Sequence, residues 1–335
     1  MEMKRKLAEV VRIEEIRDIP DADAICQYRV QGWWVVDKKG VYKVGDTVIY
    51  CQIDSWIPTA LAPFLTKGKT PRVYNEVSGE RLRTVKLRGA LSQGLLLPIT
   101  LAEGSTIGQD LTDVLGIQKW EPPQEFTSAD TKGSFPSFIQ KTDQARIQTV
   151  YQDVLVLIQT GEWQVTEKLE GQSFTAYLNN NEFGVASRNL DLKYSDDNTF
   201  WNTARKYALE EKLRAYGRNL AIQGEQCGPG ISGNIYKLDS YVLRVFDVFD
   251  IDAQRYLSVE EKQKVCRDLC LDMVPVIFDK LSLTGKSLDD ILDMANGKTV
   301  LNKSGVLREG LVFTLYSDDR VSFKSISNEY LLKQK

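Results

Sequence analysis

Two hydrophobic periodicities divide the chain. From Ala24 to Pro58 apolar and polar residues alternate at period two, with Gly40 and Gly45-Asp46 between runs, and the alternation resumes from Arg81 to Ile99 around Gly94. Successive side chains of a strand point to opposite faces, so these runs predict short half-buried strands closing into a small β-barrel. Further along, Ile147, Val150, Tyr151, Val154 and Ile158 recur at helical spacing and predict a helix over 145–158. A second helix is predicted to start near Asn198 and stop at Gly217, and a third opens with Ser258 and Glu261 in the spacing of a capping box. Strand-like runs lie around 163–170, 175–187, 220–226, 241–250, 309–316 and 320–326. Strands interrupted by helices, with hairpin turns among them, make the fold class α+β.

Between the two parts the composition changes. Residues 120–138, WEPPQEFTSADTKGSFPSF, are rich in Pro, Gly, Ser and Thr, as interdomain connections are. The expectation is a barrel over 1–120, a linker over 121–138 with the boundary near 130, and a second domain over 139–335. A length of 335 residues fits two cores.

Charge changes this picture locally. The whole chain carries −3, so any footprint on a polyanion must be confined to a patch. Residues 67–88 supply one: Lys67, Lys69, Arg72, Arg81, Arg83, Lys86 and Arg88 against Glu76 and Glu80 leave +5 in 22 residues. A basic loop on a small barrel, with Tyr74 available for stacking, is how an OB-fold grips nucleic-acid strands; a solvated charged loop is the plain alternative. The chain contains no histidine, which excludes imidazole bases, Ser-His-Asp and Cys-His nucleophiles and His-ligated metals. Chemistry must then run on Lys, Asp, Glu, Arg, Tyr, backbone and metal ions. Five scattered cysteines form neither an even disulfide framework nor a spaced zinc set, and read as buried apolar residues of a reducing cytosol. No signal-peptide-like or membrane-length apolar run occurs, so a cytoplasmic protein, or one that stays wherever it is made, is expected.

The segment 165–171, VTEKLEG, carries the chemistry. Alternation sets Val165, Glu167 and Leu169 on one face and Thr166, Lys168 and Glu170 on the other, and Gly171 lets the chain turn and a ligand approach the backbone closely. Taken alone this reads as an exposed salt-bridged strand end. Company follows in order: Arg188-Asn189, Glu225 before a glycine-rich turn, Phe246 in LRVFDVFD, then Glu309 and Lys324 in REGLVFTLYSDDRVSFKSIS. With a hairpin turn centred on Asp318-Asp319, Tyr316 would oppose Val321 and Phe313 would oppose Lys324. Glu309 and Lys324 would then share a sheet face about 13 Å apart along the hairpin.

This succession resembles the covalent nucleotidyltransferases, the superfamily of ATP-dependent ligases and mRNA capping enzymes, over about 160 residues in five or six blocks. The resemblance implies that ATP is the cofactor and that Lys168 becomes lysyl-AMP. A lysine amine has a reference pKa of about 10.4 and attacks only unprotonated, so its surroundings must lower that value. Cations and burial act in that direction and a bare carboxylate acts against it, which suggests that the carboxylates hold hydrated Mg²⁺ or Mn²⁺. The resemblance further implies that Glu170 and Glu309 hold the metal through water, that Glu225 takes the ribose hydroxyl or a metal water, that Arg188, Asn189 and Ser173 contact the nucleotide, that Phe246 stacks on adenine and Glu167 reads its amine. Lys324 would stabilise the pentavalent transition state. As ordinary residues, Arg188 would be a surface charge, Phe246 core, Glu225 part of a turn and Glu167 a plain strand position.

Domain order narrows the resemblance. A barrel preceding a core that ends some eleven residues past Lys324 leaves no room for a C-terminal OB domain, and looks like the RNA ligases of the Naegleria and Deinococcus type. In that group a basic upstream segment contacts the β- and γ-phosphates, with Lys141 and Arg146 as the matching residues here. The implied protein is an RNA ligase, acting as a monomer in RNA repair and joining 3′-hydroxyl and 5′-phosphate ends at a nicked duplex, with the barrel holding nucleic acid. A DNA ligase, a guanylyltransferase of the same core and a non-catalytic OB-type binding protein stand as alternatives. Two departures mark the chain: Glu170 where many ligases have Asp, and Ile326 where many have a second lysine after Lys324.

Overall fold

Thr47–Gln52 shows how the N-terminal alternation becomes a core. It is the middle strand of an antiparallel sheet, between Ala8–Arg12 and Gly94–Pro98, and five of its six residues are buried. Ile49 and Cys51 point into one apolar cluster with Val10, Ile57 and Leu97, while Val48 and Tyr50 point into a second with Tyr28, Trp33 and Val35. A strand buried on both faces reads as a continuous apolar run, which is why VIYC lacks polar interruptions.

The computed structural model describes residues 5–121, 130–318 and 320–333. They divide into two compact units, residues 5–121 with 331–333, and residues 130–330. In the first unit the meander Glu15–Asp18, Ile25–Val30, Trp33–Lys38 and the sheet Gln118–Lys119, Ser55–Pro58, Val77–Arg81, Arg72–Tyr74 accompany the sheet around Thr47–Gln52. Val85–Leu87 and Ala90–Ser92 form a separate hairpin. Residues 122–129 of the expected linker lie outside the described residues, and Thr131–Ser134 is an edge strand of the second unit.

The second unit is two sheets. A seven-stranded sheet runs Thr131–Ser134, Leu190–Leu192, Glu182–Ala186, Gln172–Asn179, Leu220–Cys227, Val242–Asp250, Arg255–Tyr256. Helices Thr199–Lys206, Leu209–Tyr216 and Val259–Asp268 pack on it through Phe200, Trp201, Leu209, Leu213 and Val265. A five-stranded sheet runs Ala145–Arg146, Ser322–Ile326, Gly310–Leu315, Glu162–Lys168, Val276–Ser282, covered by Ile147–Thr160 and Leu288–Met294 through Val150, Val154, Ile158, Ile291 and Leu292. No helix among the described residues is long and apolar enough to cross a membrane.

Four expectations are corrected. The helix read over Asn198–Gly217 is two: Asn198 caps the first by accepting the Phe200 and Trp201 N–H groups, but Ala208 turns left-handed at φ 51° and a second helix begins at Leu209. The hairpin register is displaced by one residue, with Phe313 opposite Phe323 and Val312 opposite Lys324. The Asp318 carbonyl accepts the Val321 N–H and its carboxylate the Arg320 N–H, so Asp318 starts the turn rather than centring it; Asp319 lies outside the described residues. Because a one-residue shift exchanges faces, Phe313 and Phe323 stack in the core 4.9 Å apart, and Lys324 shares its face with Val312 rather than Phe313. Finally, Val276–Ser282 and Leu288–Met294 escaped the sequence reading, and of the cysteines Cys270 is exposed.

Candidate active site

Lys168 is the last residue of its strand. Pairing with Gly310–Leu315 on one side and Val276–Ser282 on the other fixes the backbone, and Lys168 itself opposes Gly310. A side chain at Gly310 would run into the Ser325 carbonyl, so glycine lets the two strands of the hairpin close up beside the lysine. Nζ donates to Glu309 Oε2 at 2.7 Å, in an ion pair whose side chains are 27% and 20% exposed.

The lysine's partner is thus Glu309, where alternation had pointed to Glu170. The strand ends at Lys168, so the period-two pattern does not carry on to Glu170. Glu170 instead follows the strand, its N–H donating to the Tyr236 hydroxyl at 2.8 Å and its Oε2 buried without a hydrogen-bond partner. Gly171 sits at a bend and also serves packing. A Cβ there would meet the Gln226 carbonyl at 2.4 Å and Glu225 Cγ at 2.8 Å, so its bareness brings the chain against the strand that carries Glu225.

Lys168 and Glu225 face one cavity. Its walls include Thr166, Glu167 and Lys168 with Leu169 just past their strand, Ser173, Glu225 and Phe246 from the seven-stranded sheet with Arg188 between two of its strands, and Val312, Thr314 and Lys324 from the hairpin. Ser173 and Glu225 are direct cross-strand partners. Arg146 stands beside Lys324 through a short parallel pairing. Glu167 is buried, and its Oε2 accepts the Val300 N–H at 2.8 Å. Lys141 and Asn189 lie outside the lining and bond each other at 3.1 Å.

Electrostatically the cavity is a compressed set of opposed charges. Burial works to lower the Lys168 pKa, but the Glu309 and Glu225 carboxylates outweigh it and hold the ammonium above its ordinary value. The depressed amine expected from the chemistry is therefore not the state of the protein alone. Burial, with Glu309 nearby, pushes Glu225 up to about 7 against the pull of Lys168. Burial and Glu309 likewise push Glu170 up to about 6, and burial raises Glu167. Lys324 is drawn down to about 8 by burial, Lys168 and Arg146, against the pull of Asp143.

Three charged wall residues were missed in the sequence. Asp143 lies 3.6 Å from both Arg188 and Lys324, joining cations that are far apart in the chain. Lys262 and Asp247 form a pair at 3.2 Å. Lys262 did leave a signal: it falls on the stripe Val259, Lys262, Val265, Cys266, where a helix buries its apolar face.

The basic patch of the first unit is thinner than its composition. Arg72 pairs with Glu80, and Arg81 pairs with Asp54 while lying 3.6 Å over the Trp120 ring. Tyr74 packs against Trp56 with ring centroids 5.4 Å apart. Lys67, Lys69, Arg83, Lys86 and Arg88 are exposed and have no carboxylate partner among the described residues.

Among the described residues no three acidic or cysteine side chains converge as a direct metal cage. Comparison with known proteins gives a consistent answer. The RNA ligase family model matches residues 161–326, and an OB-fold domain model matches residues 7–99. No curated protein sequence matches. Among solved structures, a Naegleria gruberi RNA ligase variant with AMP and Mn is 40% identical at a TM-score of 0.85, covering 98% of this chain and 99% of that one. A variant of the same ligase with ATP and Mn gives the same values. The Naegleria gruberi RNA ligase with PPi gives a TM-score of 0.83 at 40% identity, with 98% and 99% coverage.

Proposed function

Because this chain belongs to the RNA ligase family, we propose that the cavity around Lys168 is where it joins RNA ends. The protein is an ATP-dependent RNA ligase that uses ATP and a divalent metal. In this reading the Lys168 amine bonds to the α-phosphorus of ATP, pyrophosphate leaves, and lysyl-AMP forms. AMP then passes to an RNA 5′-phosphate, which frees the lysine, and a 3′-hydroxyl attacks that phosphate and releases AMP. The observation that carries the assignment is the 2.7 Å contact of Lys168 with Glu309 in a cavity shared with Glu225 and Lys324.

The remaining roles follow from chemistry. Lys324 stays cationic beside Lys168 and stabilises charge that develops on the phosphate. Arg146 stands next to it and Arg188 lines the same wall, both suited to phosphate or sugar oxygens. Lys141 and Asn189 would engage the outer phosphates from beyond the lining. Phe246 would stack on the base, Ser173 would add a nucleotide contact, and Glu167 would accept from the purine amine. Burial and mutual charge raise the pKa values of Glu170 and Glu225, and the Glu170 Oε2 has no hydrogen-bond partner, as suits a cation held through water rather than directly. A bound Mg²⁺ or Mn²⁺ would offset phosphate charge and compete with Lys168 for Glu170, Glu225 and Glu309.

The domain reading is that residues 1–120 hold nucleic acid and 139–335 carry out adenylylation. The substrate is taken to be a nicked duplex with RNA termini, sealed by a monomer in the cytoplasm. Incubation with α-labelled ATP and Mn²⁺ is expected to label the protein through an acid-labile bond, with Lys168→Ala unlabelled. Failure of protein first stripped of AMP by pyrophosphate to label at all would sink the assignment of Lys168. Sealing assays on nicked duplexes with defined RNA or DNA termini test the finer substrate reading.

A further inference from the structure

A β-bulge shapes the wall in which Phe246 sits. Along the pairing of Leu220–Cys227 with Val242–Asp250, Gln223 opposes Asp247 but Gly224 opposes Val245, so Phe246 is the extra residue without a partner in the ladder. Bulges re-aim side chains and leave backbone groups of the extra residue unpaired. Here the Phe246 carbonyl accepts from Lys262 Nζ at 2.7 Å, and the same ammonium donates to Asp247 Oδ1 at 3.2 Å. The Lys262 side chain is only 4% exposed. A buried cation costs stability unless it is paired and hydrogen-bonded, and both of its bonds go to the bulge.

The helix that carries Lys262 is held at both sides of that contact. Ser258 and Glu261 close a capping box that fixes its first turn. Gln263, the next residue, donates to Asp279 Oδ1 at 3.1 Å, and Asp279 also accepts from Gln164 of the nucleophile strand at 2.9 Å. One helical turn therefore ties the Phe246 bulge to the edge strand of the other sheet. Phe246, Asp247 and Lys262 all line the cavity.

We propose that Lys262 is the positioning residue for base stacking, holding the bulge so that the Phe246 ring faces the bound nucleotide. The inference rests on the reading that the base of ATP lies against Phe246. Lys262 acts through that ring and does not touch the reacting phosphate, so its removal weakens nucleotide binding and leaves the chemical step nearly intact.

Lysyl-AMP formation measured against ATP concentration tests this. Lys262→Met should raise the KM for ATP about tenfold or more, the size of a lost base stack, with the rate at saturating ATP changed less than about threefold. Phe246→Ala should raise KM similarly, and adding Lys262→Met to it should change KM less than about twofold, because both act through one contact. Lys262→Met leaves Asp247 unpaired, so Lys262→Gln, which keeps a donor to the Phe246 carbonyl without the charge, is measured beside it and should fall between wild type and Phe246→Ala. A raised KM in Phe246→Ala with unchanged KM in folded Lys262 variants, or additive effects in the double variant, overturns the role of Lys262 alone. An unchanged KM in Phe246→Ala overturns the placement of the base as well.

Discussion

At the scale of single residues, the site holds two lysines pushed in opposite directions. Lys168 is kept protonated by Glu309 and Glu225, whereas Lys324, with burial and two cations against it, is drawn down to about 8. Raising the pH helps Lys168 become an amine. It also removes the charge on Lys324, whose depressed pKa means that the cation is present below about 8 and lost above it. Lysyl-AMP formation should therefore stop rising with pH past about 8, where loss of the Lys324 cation offsets the gain in Lys168 amine, and Lys324→Arg, always charged, should go on rising there. Rapid-quench measurement between about pH 6 and 10 checks this; the same levelling in Lys324→Arg would show that another group titrates. The identities of Lys168, Glu225, Glu309 and Lys324 were legible because their types and order are distinctive. Which carboxylate meets the lysine was not, since that depends on where the strand ends.

At the scale of elements, alternation and capping located most strands and helices, and the errors have local causes. Asn198 and the Ser258–Glu261 box marked true helix starts. The stretch KYALEEK contains neither Gly nor Pro, so nothing in its residues announces the break at Ala208. The break comes from packing: the Tyr207 hydroxyl accepts the Leu243 N–H at 3.0 Å, and Leu209 and Leu213 are buried on the sheet. Val276–Ser282 was missed because an edge strand exposed at most positions shows no clean alternation. A left-handed alanine costs about 1 kcal/mol or more that glycine avoids. Ala208→Gly should stabilise the protein by about 0.5–1 kcal/mol in urea denaturation, and a lowered midpoint would mean that the turn is not strained as its φ of 51° implies.

At the scale of the whole molecule, a net charge of −3 hides an uneven distribution of charge. The second unit concentrates buried, mutually paired charge around Lys168, while the first carries exposed cations without carboxylate partners among the described residues. Sequence arithmetic counted seven basic residues over 67–88, but Arg72 and Arg81 are committed to Glu80 and Asp54, which a linear count cannot reveal. Among the described residues the cations of this stretch left without a carboxylate partner are Lys67, Lys69, Arg83, Lys86 and Arg88. Binding to phosphates releases counterions, so each lost contact lowers the steepness with which affinity falls with salt by about 0.7–0.9. Replacing Arg83, Lys86 and Arg88 by Glu should weaken binding to a nicked RNA duplex and reduce the slope of log K against log salt by about 2–3. Lysyl-AMP formation in the same variant should match wild type, since the cavity around Lys168 is lined by residues of the second unit only. Replacing Arg72 by Glu should change the slope little, because its guanidinium already faces Glu80 at 2.6 Å. Equal loss of adenylylation and RNA binding in the triple variant would refute a separate nucleic-acid role for the basic loop, and an unchanged salt slope would place the RNA elsewhere on the protein.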